Sequence, residues 1–424
     1  MRTGFPVVRV AIVIAAAVSA GAFAGDSAAP GSTPSTSPGS DTADIYAVVA
    51  RNCRPLVDSG QQIGIVVGVI QGERRLVAGF GRRDKDKPGA PDGGTLFELA
   101  SITKTFTAAV LETMVESGEV RLDAPAETYM PEGIKLPTRD GRVITLEHLI
   151  THTSGLANVP DTLDARPLPA DPRTEFTLAR MGEYLRRVSL VSPPGDEYRY
   201  SSTGMGLVGI ALTNVRKTNY EKLLRSSVLE PLGMSDTCMT PSGEQRARLA
   251  TGYAVTRDDG DRFVAEPTCN WSLSECFSGA GGLYSTADDM MKYLAANLGM
   301  GDAPLAAALE RTQRPRHKTD RGTEVGMAWG VGRNERGKVG VFHGGNTWGY
   351  SCFMILSREG RKGVVVLSNS SESVEKLAFD ILAQTPHKAE KTVGSGLGQK
   401  CLQYRISVGA TSVQGRGSVV TGRK

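Results

Sequence analysis

A serine and a lysine stand three residues apart where the sequence predicts that a helix begins. Ser101 and Lys104 precede residues 105–117, whose apolar side chains recur at helical spacing, and Gly118 marks the predicted end of the helix. Because positions i and i+3 share one face of a helix, the hydroxyl and the amine can meet. A lysine whose pKa is lowered by burial or nearby positive charge can take the serine proton and create a nucleophile. Taken alone, the spacing is explained more simply by a capping serine and a solvated lysine.

The charge is distributed unevenly along the 424 residues. The formal net charge is +4, but residues 1–24 contribute +2 and residues 386–424 contribute +6, so the residues between them carry −4. This acidic body does not have the basic surface expected of a protein that binds nucleic acid. The tail over 386–424 is rich in Gly, Ser, Thr and Lys, which predicts disorder.

The N-terminal residues have the pattern of an export signal. Arg2 and Arg9 precede the apolar run 10–18, and Ala22-Phe23-Ala24 gives a small-x-small cleavage pattern. The apolar run is too short to span a bilayer comfortably. We therefore expect a signal peptide over 1–24, cleaved after Ala24, and a secreted or periplasmic protein without a stable membrane anchor. An uncleaved N-terminal anchor is the alternative.

Six cysteines accompany this predicted export, which permits disulfides. Cys269 and Cys276, with or without Cys238, are the residues expected to form a bridge, because they cluster in a polar segment. Cys352 lies in an apolar run typical of a strand and is expected to be a buried free thiol. No C-x-x-C pair occurs, and we predict no metal site.

Two histidines, His148 and His152, are four residues apart, a spacing that suits zinc on a helix. Leu149 stands where the zinc-protease motif has glutamate. We therefore interpret both histidines as structural.

The pattern of predicted elements indicates one α/β (α+β) fold over residues 44–385, after a flexible linker at 25–43. A β-hairpin at 63–80 has too few strands to be stable alone, so we expect it to join the strand-like runs that follow residue 327. The expected result is an antiparallel five-stranded sheet flanked by helices. Residues 120–270 consist mostly of predicted helices and loops, and we expect them to form a second lobe. A site is expected in the cleft between the lobes.

Several short stretches occur in the order typical of one superfamily. They are 97–104, 146–156, Pro194-Gly195 with Tyr200-Ser201-Ser202, 231–237, 281–290 and His343-Gly344-Gly345. On these residues the chain resembles the class C β-lactamases and low-molecular-weight D-alanyl-D-alanine peptidases, together with their esterase relatives. Residues 137–141 and Cys269-Asn270 look most like the periplasmic D-alanyl-D-alanine carboxypeptidase/endopeptidase branch. The resemblance covers residues 45–385 and implies a β-lactamase/transpeptidase-like fold.

The resemblance also implies catalytic roles. Ser101 would be the acylated nucleophile, and Lys104 would accept or relay its proton. Tyr200 would be the second proton carrier, either as a phenolate or hydrogen-bonded to Lys104. Tyr198 is its rival, but only Tyr200 lies two residues before a short polar side chain and an apolar helix.

The stretch His343-Gly344-Gly345 implies a substrate-binding edge, and two positions of the chain depart from the family pattern. The oxyanion hole would combine the N–H group of the nucleophile with that of Asn346, and Gly344 and Gly345 would let substrate lie along the strand as an added strand. Ser202 stands where the family usually has asparagine, and His343 stands where it usually has lysine. Since histidine is only partly charged near neutral pH, the grip on a substrate carboxylate would be weaker.

These expectations define an exported, monomeric serine hydrolase that works through an acyl-enzyme, with no metal and no organic cofactor. Its predicted substrates are D-alanyl amides of peptidoglycan peptides or β-lactams. A carboxylesterase or transacylase on the same scaffold is the first alternative, favoured by His343 and Ser202. A non-catalytic penicillin-binding sensor module is the second, and the intact Ser101, Lys104 and Tyr200 argue against it.

Overall fold

The structure is a computed structural model that describes residues 41–163, 172–300, 305–320, 322–333 and 339–385. The predicted signal peptide, the linker up to residue 40 and the predicted basic tail lie outside the described residues. Within the described ranges, no helix combines the length and apolar character needed to cross a membrane.

One antiparallel sheet of eight strands organises the described residues, in the order β2-β1-β12-β11-β10-β9-β8-β7. The strands in chain order are β1 (Gly64–Gln71), β2 (Arg74–Gly81), β3 (Leu96–Glu98), β4 (Tyr253–Arg257), β5 (Phe263–Pro267), β6 (Tyr284–Thr286), β7 (His317–Lys318), β8 (Glu324–Val325), β9 (Gly330–Arg333), β10 (Val339–Asn346), β11 (Ser351–Ser357) and β12 (Lys362–Ser368). In this sheet Ile65 of β1 lies opposite Phe80 of β2 and Ser368 of β12. The N-terminal hairpin therefore joins the later strands, as predicted.

The predicted number of strands in the sheet was wrong. The sheet has eight strands rather than five, because β7, β8 and β9 extend it beyond β10. β7 and β8 have two residues each, which is too short to produce a periodic pattern in the sequence. The strands β4 and β5 pair with each other in a separate sheet within 120–270, the region predicted to be mostly helices and loops.

Ten α-helices are formed by the described residues. They are α1 (Ala43–Asp58), α2 (Thr103–Glu116), α3 (Leu146–Ile150), α4 (Leu178–Arg187), α5 (Ser202–Arg216), α6 (Tyr220–Leu224), α7 (Gly243–Arg248), α8 (Ala287–Asn297), α9 (Ala306–Thr312) and α10 (Glu375–Gln384). Short 3₁₀ turns occur at Ala100–Ile102, Ala126–Tyr129, Pro172–Glu175 and Glu275–Phe277, and a π turn occurs at Arg225–Leu229. The first of the 3₁₀ turns leads directly into α2, so the Ser101 stretch does stand at a helix start.

Alternate residues of β1 enter two separate apolar cores on opposite faces of the sheet. Ile65, Val67 and Val69 pack with apolar residues of α1 and α10. Val66 and Ile70 belong to a larger cluster that includes residues of α2, α5 and α8. Because successive side chains of a strand point to opposite faces, helices cover both sides of the sheet. This arrangement is the predicted sheet flanked by helices.

The cysteine predictions had mixed outcomes. Cys238 and Cys276 are buried free thiols, so the bridge predicted between Cys269 and Cys276 is not formed. Cys352 is a buried free thiol, as predicted, and its Sγ donates a hydrogen bond to the carbonyl oxygen of Glu98 at 3.0 Å.

Candidate active site

The Ser101 turn is built against strand β10. Ala100 has a φ of +46°, an uncommon left-handed conformation for alanine that stores backbone strain. A Cβ at Gly345 of β10 would collide with the carbonyl oxygen of Leu99 and lie 3.0 Å from the backbone nitrogen of Ser101. The glycine therefore lets β10 approach the backbone of the serine more closely than any other residue would allow.

Lys104 is buried beside the serine hydroxyl. Its Nζ donates hydrogen bonds to Ser101 Oγ at 2.9 Å and to the carbonyl oxygen of Ala280 at 2.6 Å. Burial of the amine and, secondarily, the positive charge of Arg173 lower the pKa of Lys104 to about 7. A sizeable fraction of the amine is therefore neutral near neutral pH, which is the state that can accept a proton.

Tyr200 lies over the same pair of residues. The Lys104 Nζ is 4.9 Å from the centroid of the Tyr200 ring, and Tyr200 and Ser101 line the same cavity. Burial raises the pKa of Tyr200, and its interaction with the Ser101 side chain only partly opposes this. The raised pKa favours the protonated phenol in the resting site over the phenolate, which was one of the two states expected from the sequence. Tyr198 lines the same cavity, but the contacts with Ser101 and Lys104 are made by Tyr200.

Strand β10 has an open edge near Ser101 and Lys104. Its pairing with β9 ends at Phe342, so residues 343–346 are bound to β11 on one side only among the described strands. Thr347 N donates to the Tyr350 carbonyl at 2.9 Å, which makes the next pair, Asn346 with Ser351, a non-hydrogen-bonded pair. In such a pair the backbone N–H groups point away from the neighbouring strand, so the Asn346 N–H faces the open edge.

His343 stands at the start of that edge in a neutral form. Its Nδ1 is 2.7 Å from the carbonyl oxygen of Gly344. Burial and the positive charge of Lys104 lower the pKa of His343. The lowered pKa favours the neutral imidazole near neutral pH.

A cavity of about 390 Å³ brings most of the predicted site residues together. Its lining includes Ser101, Tyr200, His343, Gly344 and Asn346. A larger cavity of about 770 Å³ has Tyr220, Trp271 and Arg246 in its lining but not the serine. The chemistry points to the smaller cavity, because it is the one that contains the hydroxyl beside the buried amine.

Ser202 lies at the N-terminal end of α5. It is the first residue of this helix, and its backbone N–H donates to Asn158 Oδ1 at 3.0 Å. Among the described residues, Ser202, Lys104 and Gly345 are the predicted site residues that are not part of the cavity lining. A contact between Ser202 and substrate stays a prediction.

His148 and His152 have different surroundings, although the sequence analysis treated them as a pair. His148 has the predicted structural role, because its Nδ1 accepts a hydrogen bond from the N–H of Thr145, the residue that caps α3. His152 lines the cavity beside Tyr200, at a centroid distance of 4.6 Å. Its place directly before Thr153-Ser154-Gly155, within one of the superfamily stretches, was the signal that could have drawn attention to it. In the described part of the chain no group of three or more His, Cys, Asp or Glu residues is arranged to hold a metal ion.

Comparison with protein families identifies the class of protein. The family model described as Beta-lactamase matches residues 49–385. The chain therefore belongs to the Beta-lactamase family, which confirms the superfamily predicted from the motifs.

Particular relatives share this family assignment. The chain is 30% identical over 303 residues to the D-alanyl-D-alanine-carboxypeptidase/endopeptidase AmpH of Escherichia coli (strain K12), covering 71% of this chain and 72% of AmpH. Among solved structures, it is similar to a β-lactamase/D-alanine carboxypeptidase from Yersinia pestis in complex with citrate, with a TM-score of 0.67, 23% identity and coverage of 81% and 97%. It is also similar to a class C β-lactamase in complex with cefoxitin, with a TM-score of 0.69, 21% identity and coverage of 81% and 99%. These structures confirm the predicted β-lactamase/transpeptidase-like fold.

Proposed function

We propose that the chain is an exported serine hydrolase that forms an acyl-enzyme at Ser101 and cleaves D-alanyl peptide amides, β-lactams or both. The observation that carries the proposal is the 2.9 Å contact between Lys104 Nζ and Ser101 Oγ, because burial gives this amine a pKa of about 7. The similarity to AmpH, which is named a carboxypeptidase and endopeptidase, supports the substrate class. The sequence pattern of residues 1–24 supports export.

Acylation begins when neutral Lys104 takes the proton of Ser101 Oγ, and Oγ then attacks the substrate carbonyl. A Cβ at Gly345 would lie 3.0 Å from Ser101 N, and Asn346 is the next residue of β10, so the N–H groups of Ser101 and Asn346 are the candidates to donate to the developing oxyanion. A substrate laid along residues 343–346 as an added strand would bring its carbonyl to these donors.

Departure of the leaving group requires a second proton. Tyr200 holds a proton because burial raises its pKa, and its interaction with the Ser101 side chain places the phenol near the reacting oxygen. The phenol passes its proton to the leaving nitrogen, and the Lys104 ammonium then returns a proton to the phenolate. In deacylation a water molecule attacks the carbonyl carbon of the acyl-enzyme ester, and Lys104 takes the proton of that water. Lys104 then passes this proton to Ser101 Oγ as the carboxylic acid product leaves.

A carboxylesterase or transacylase is the second candidate, and one observation favours it. His343 is neutral, so this position provides no cation for the carboxylate of a D-alanyl peptide or a β-lactam. A neutral ester needs no such partner. A penicillin-binding sensor is the remaining alternative, in which acylation occurs but Lys104 and Tyr200 do not support turnover.

Turnover of three substrates by the full chain separates these functions. Nitrocefin, a short-chain nitrophenyl ester and a peptide ending in D-Ala-D-Ala are compared for the wild-type protein and Ser101→Ala. We expect hydrolysis of the peptide or of nitrocefin, and a loss of more than about a thousandfold in Ser101→Ala. Turnover of the ester alone would support the esterase, and stable acylation without turnover would support the sensor. Undiminished activity in Ser101→Ala would overturn the proposal.

A further inference from the structure

We infer that His152 is a positioning residue that holds the Tyr200 phenol at the Ser101 hydroxyl. The inference rests on the proposed function, in which Tyr200 carries a proton. His152 accepts hydrogen bonds from the backbone N–H groups on both sides of this tyrosine. Its carbonyl oxygen accepts from Arg199 N at 2.7 Å, and its ring Nδ1 accepts from Ser201 N at 3.2 Å. One residue thus fixes the backbone immediately before and immediately after Tyr200.

The imidazole of His152 also packs against the ring that it positions. The two ring centroids are 4.6 Å apart with an interplanar angle of 39°, and His152 is 3% exposed. Tyr198 contacts the same imidazole edge-on, at a centroid distance of 5.9 Å. Backbone bonds and ring packing together restrict both the position and the tilt of the tyrosine ring.

The protonation state of His152 suits this role and excludes a role as a base. Because Nδ1 accepts the hydrogen bond from Ser201, the ring proton of the neutral imidazole lies on Nε2. The Nε2 atom is buried and has no hydrogen-bond partner among the described residues. Burial, followed by the positive charge of Lys104, lowers the pKa of His152 well below its usual value. The neutral ring is required, since a protonated Nδ1 could not accept from Ser201.

The backbone at His152 is strained in a way that simple core packing does not need. Its φ is +60°, a left-handed conformation that is unfavourable for a residue with a side chain. The same turn holds the chain that leads to Tyr200. The carbonyl oxygens of Thr153 and Gly155 accept from Gly195 N at 2.8 Å and from Val191 N at 2.9 Å. The turn is therefore a rigid support for the segment that carries the tyrosine.

A double-mutant cycle tests the inference on the full chain, with the rate of labelling by a fluorescent penicillin as the readout, because opening of the β-lactam ring requires a proton on its nitrogen. His152→Ala is expected to lower the maximal labelling rate by about tenfold to a hundredfold, with little change in the half-saturating probe concentration. His152→Asn is expected to recover part of the rate, because asparagine tolerates the left-handed conformation and its amide oxygen can accept from Ser201. In a Tyr200→Phe background, His152→Ala is expected to change the rate by less than about twofold, because no hydroxyl is left to position.

Controls separate this role from a general loss of structure. His148→Ala is the matched control, because it removes a histidine of the same segment whose ring bonds to Thr145 instead; its effect is expected to be additive with Tyr200→Phe. Additive effects of His152→Ala and Tyr200→Phe would overturn the inference. If His152→Ala does not fold, His152→Asn takes its place in the cycle. A loss that occurs with Tyr200 present and disappears in the Tyr200→Phe background supports the inference. A wild-type rate, or an equal loss in both backgrounds, overturns it.

Ser101→Ala distinguishes the inference from the proposed function. Labelling that persists in Ser101→Ala would overturn the function itself. If Ser101→Ala abolishes labelling but the effects of His152→Ala and Tyr200→Phe are additive, only the positioning role of His152 is overturned.

Discussion

Lys104 is the residue on which the proposed chemistry most depends. A lysine in water has a pKa near 10.4 and is almost fully protonated at neutral pH. In this fold the amine is 1% exposed and is held between Ser101 Oγ and the carbonyl oxygen of Ala280. Burial and the charge of Arg173 make its neutral form accessible. The fold thereby turns an ordinary cation into a base that already touches its proton donor.

The pH dependence of acylation follows from this lowered pKa. The amine is protonated below its folded pKa and neutral above it, so the acylation rate is expected to rise with pH, reach half its maximum near pH 7 and level off above. The pKa of His343 is lowered, so this ring stays neutral across the transition. The measurement is the initial rate of labelling by a fluorescent penicillin between about pH 5 and pH 9.

Arg173→Gln is the matched variant for this prediction. It removes the second cause of the lowered pKa, so the midpoint is expected to shift to higher pH. A flat profile in the wild-type protein, or one that falls with rising pH, would contradict the role of Lys104 as the base.

At the scale of elements, the site depends on how closely β10 approaches the turn that carries the serine. Gly345→Ala places a Cβ against Leu99 O and 3.0 Å from Ser101 N, so the strand or the turn has to move. We expect a loss of about 1–3 kcal/mol in the free energy of unfolding and a decrease of more than about tenfold in acylation rate. Urea unfolding and penicillin labelling measure the two effects.

Gly340→Ala on the same strand is the control for Gly345→Ala. A Cβ at Gly340 would have its nearest neighbour, Leu356 O, at 3.7 Å, an ordinary contact distance. Stability and acylation are both expected to stay close to the wild-type values. Equal losses of stability and acylation rate in the two variants would show that β10 tolerates no added methyl group. Such a result would contradict a specific role for the close approach at Gly345.

At the scale of the whole molecule, the sheet and its two cores connect segments that are distant in sequence. β1 lies beside β12, and β3 pairs with β6, so the residues that precede Ser101 are held by strands from the second half of the chain. Glu98, at the end of β3, accepts hydrogen bonds from Asn270 Nδ2 and Trp271 N at 2.8 Å. The position of the nucleophile is therefore a property of the assembled fold.

Whether the sequence could predict a feature depends on how local its cause is. The contact between Ser101 and Lys104 could be predicted, because i and i+3 meet on any helix. The lowered pKa of Lys104 could be stated only as a requirement, because it arises from burial and from Arg173, which is distant in sequence. The role of His152 was missed for the same reason: its bonds run to Arg199 and Ser201, across a turn whose path no periodicity reveals.

Other differences between the sequence predictions and the structure also have physical causes. The phenolate alternative for Tyr200 assumed that nearby cations would dominate its pKa, whereas burial is the larger effect. The bridge between Cys269 and Cys276 was wrong because it was inferred from clustering in the sequence, which does not determine whether two Cβ atoms face each other. Ser202 was assigned to the site by its place in a motif, and that role stays a prediction.

Intact-mass spectrometry of the full chain during incubation with a penicillin tests the central claim most directly. A β-lactam ring opens on acylation without losing atoms, so the wild-type protein is expected to gain the mass of one penicillin. That gain is expected to decay as the acyl-enzyme is hydrolysed, while Ser101→Ala gains no mass. An adduct that forms equally fast in Ser101→Ala would contradict the account, because the acyl group would then be carried by another residue.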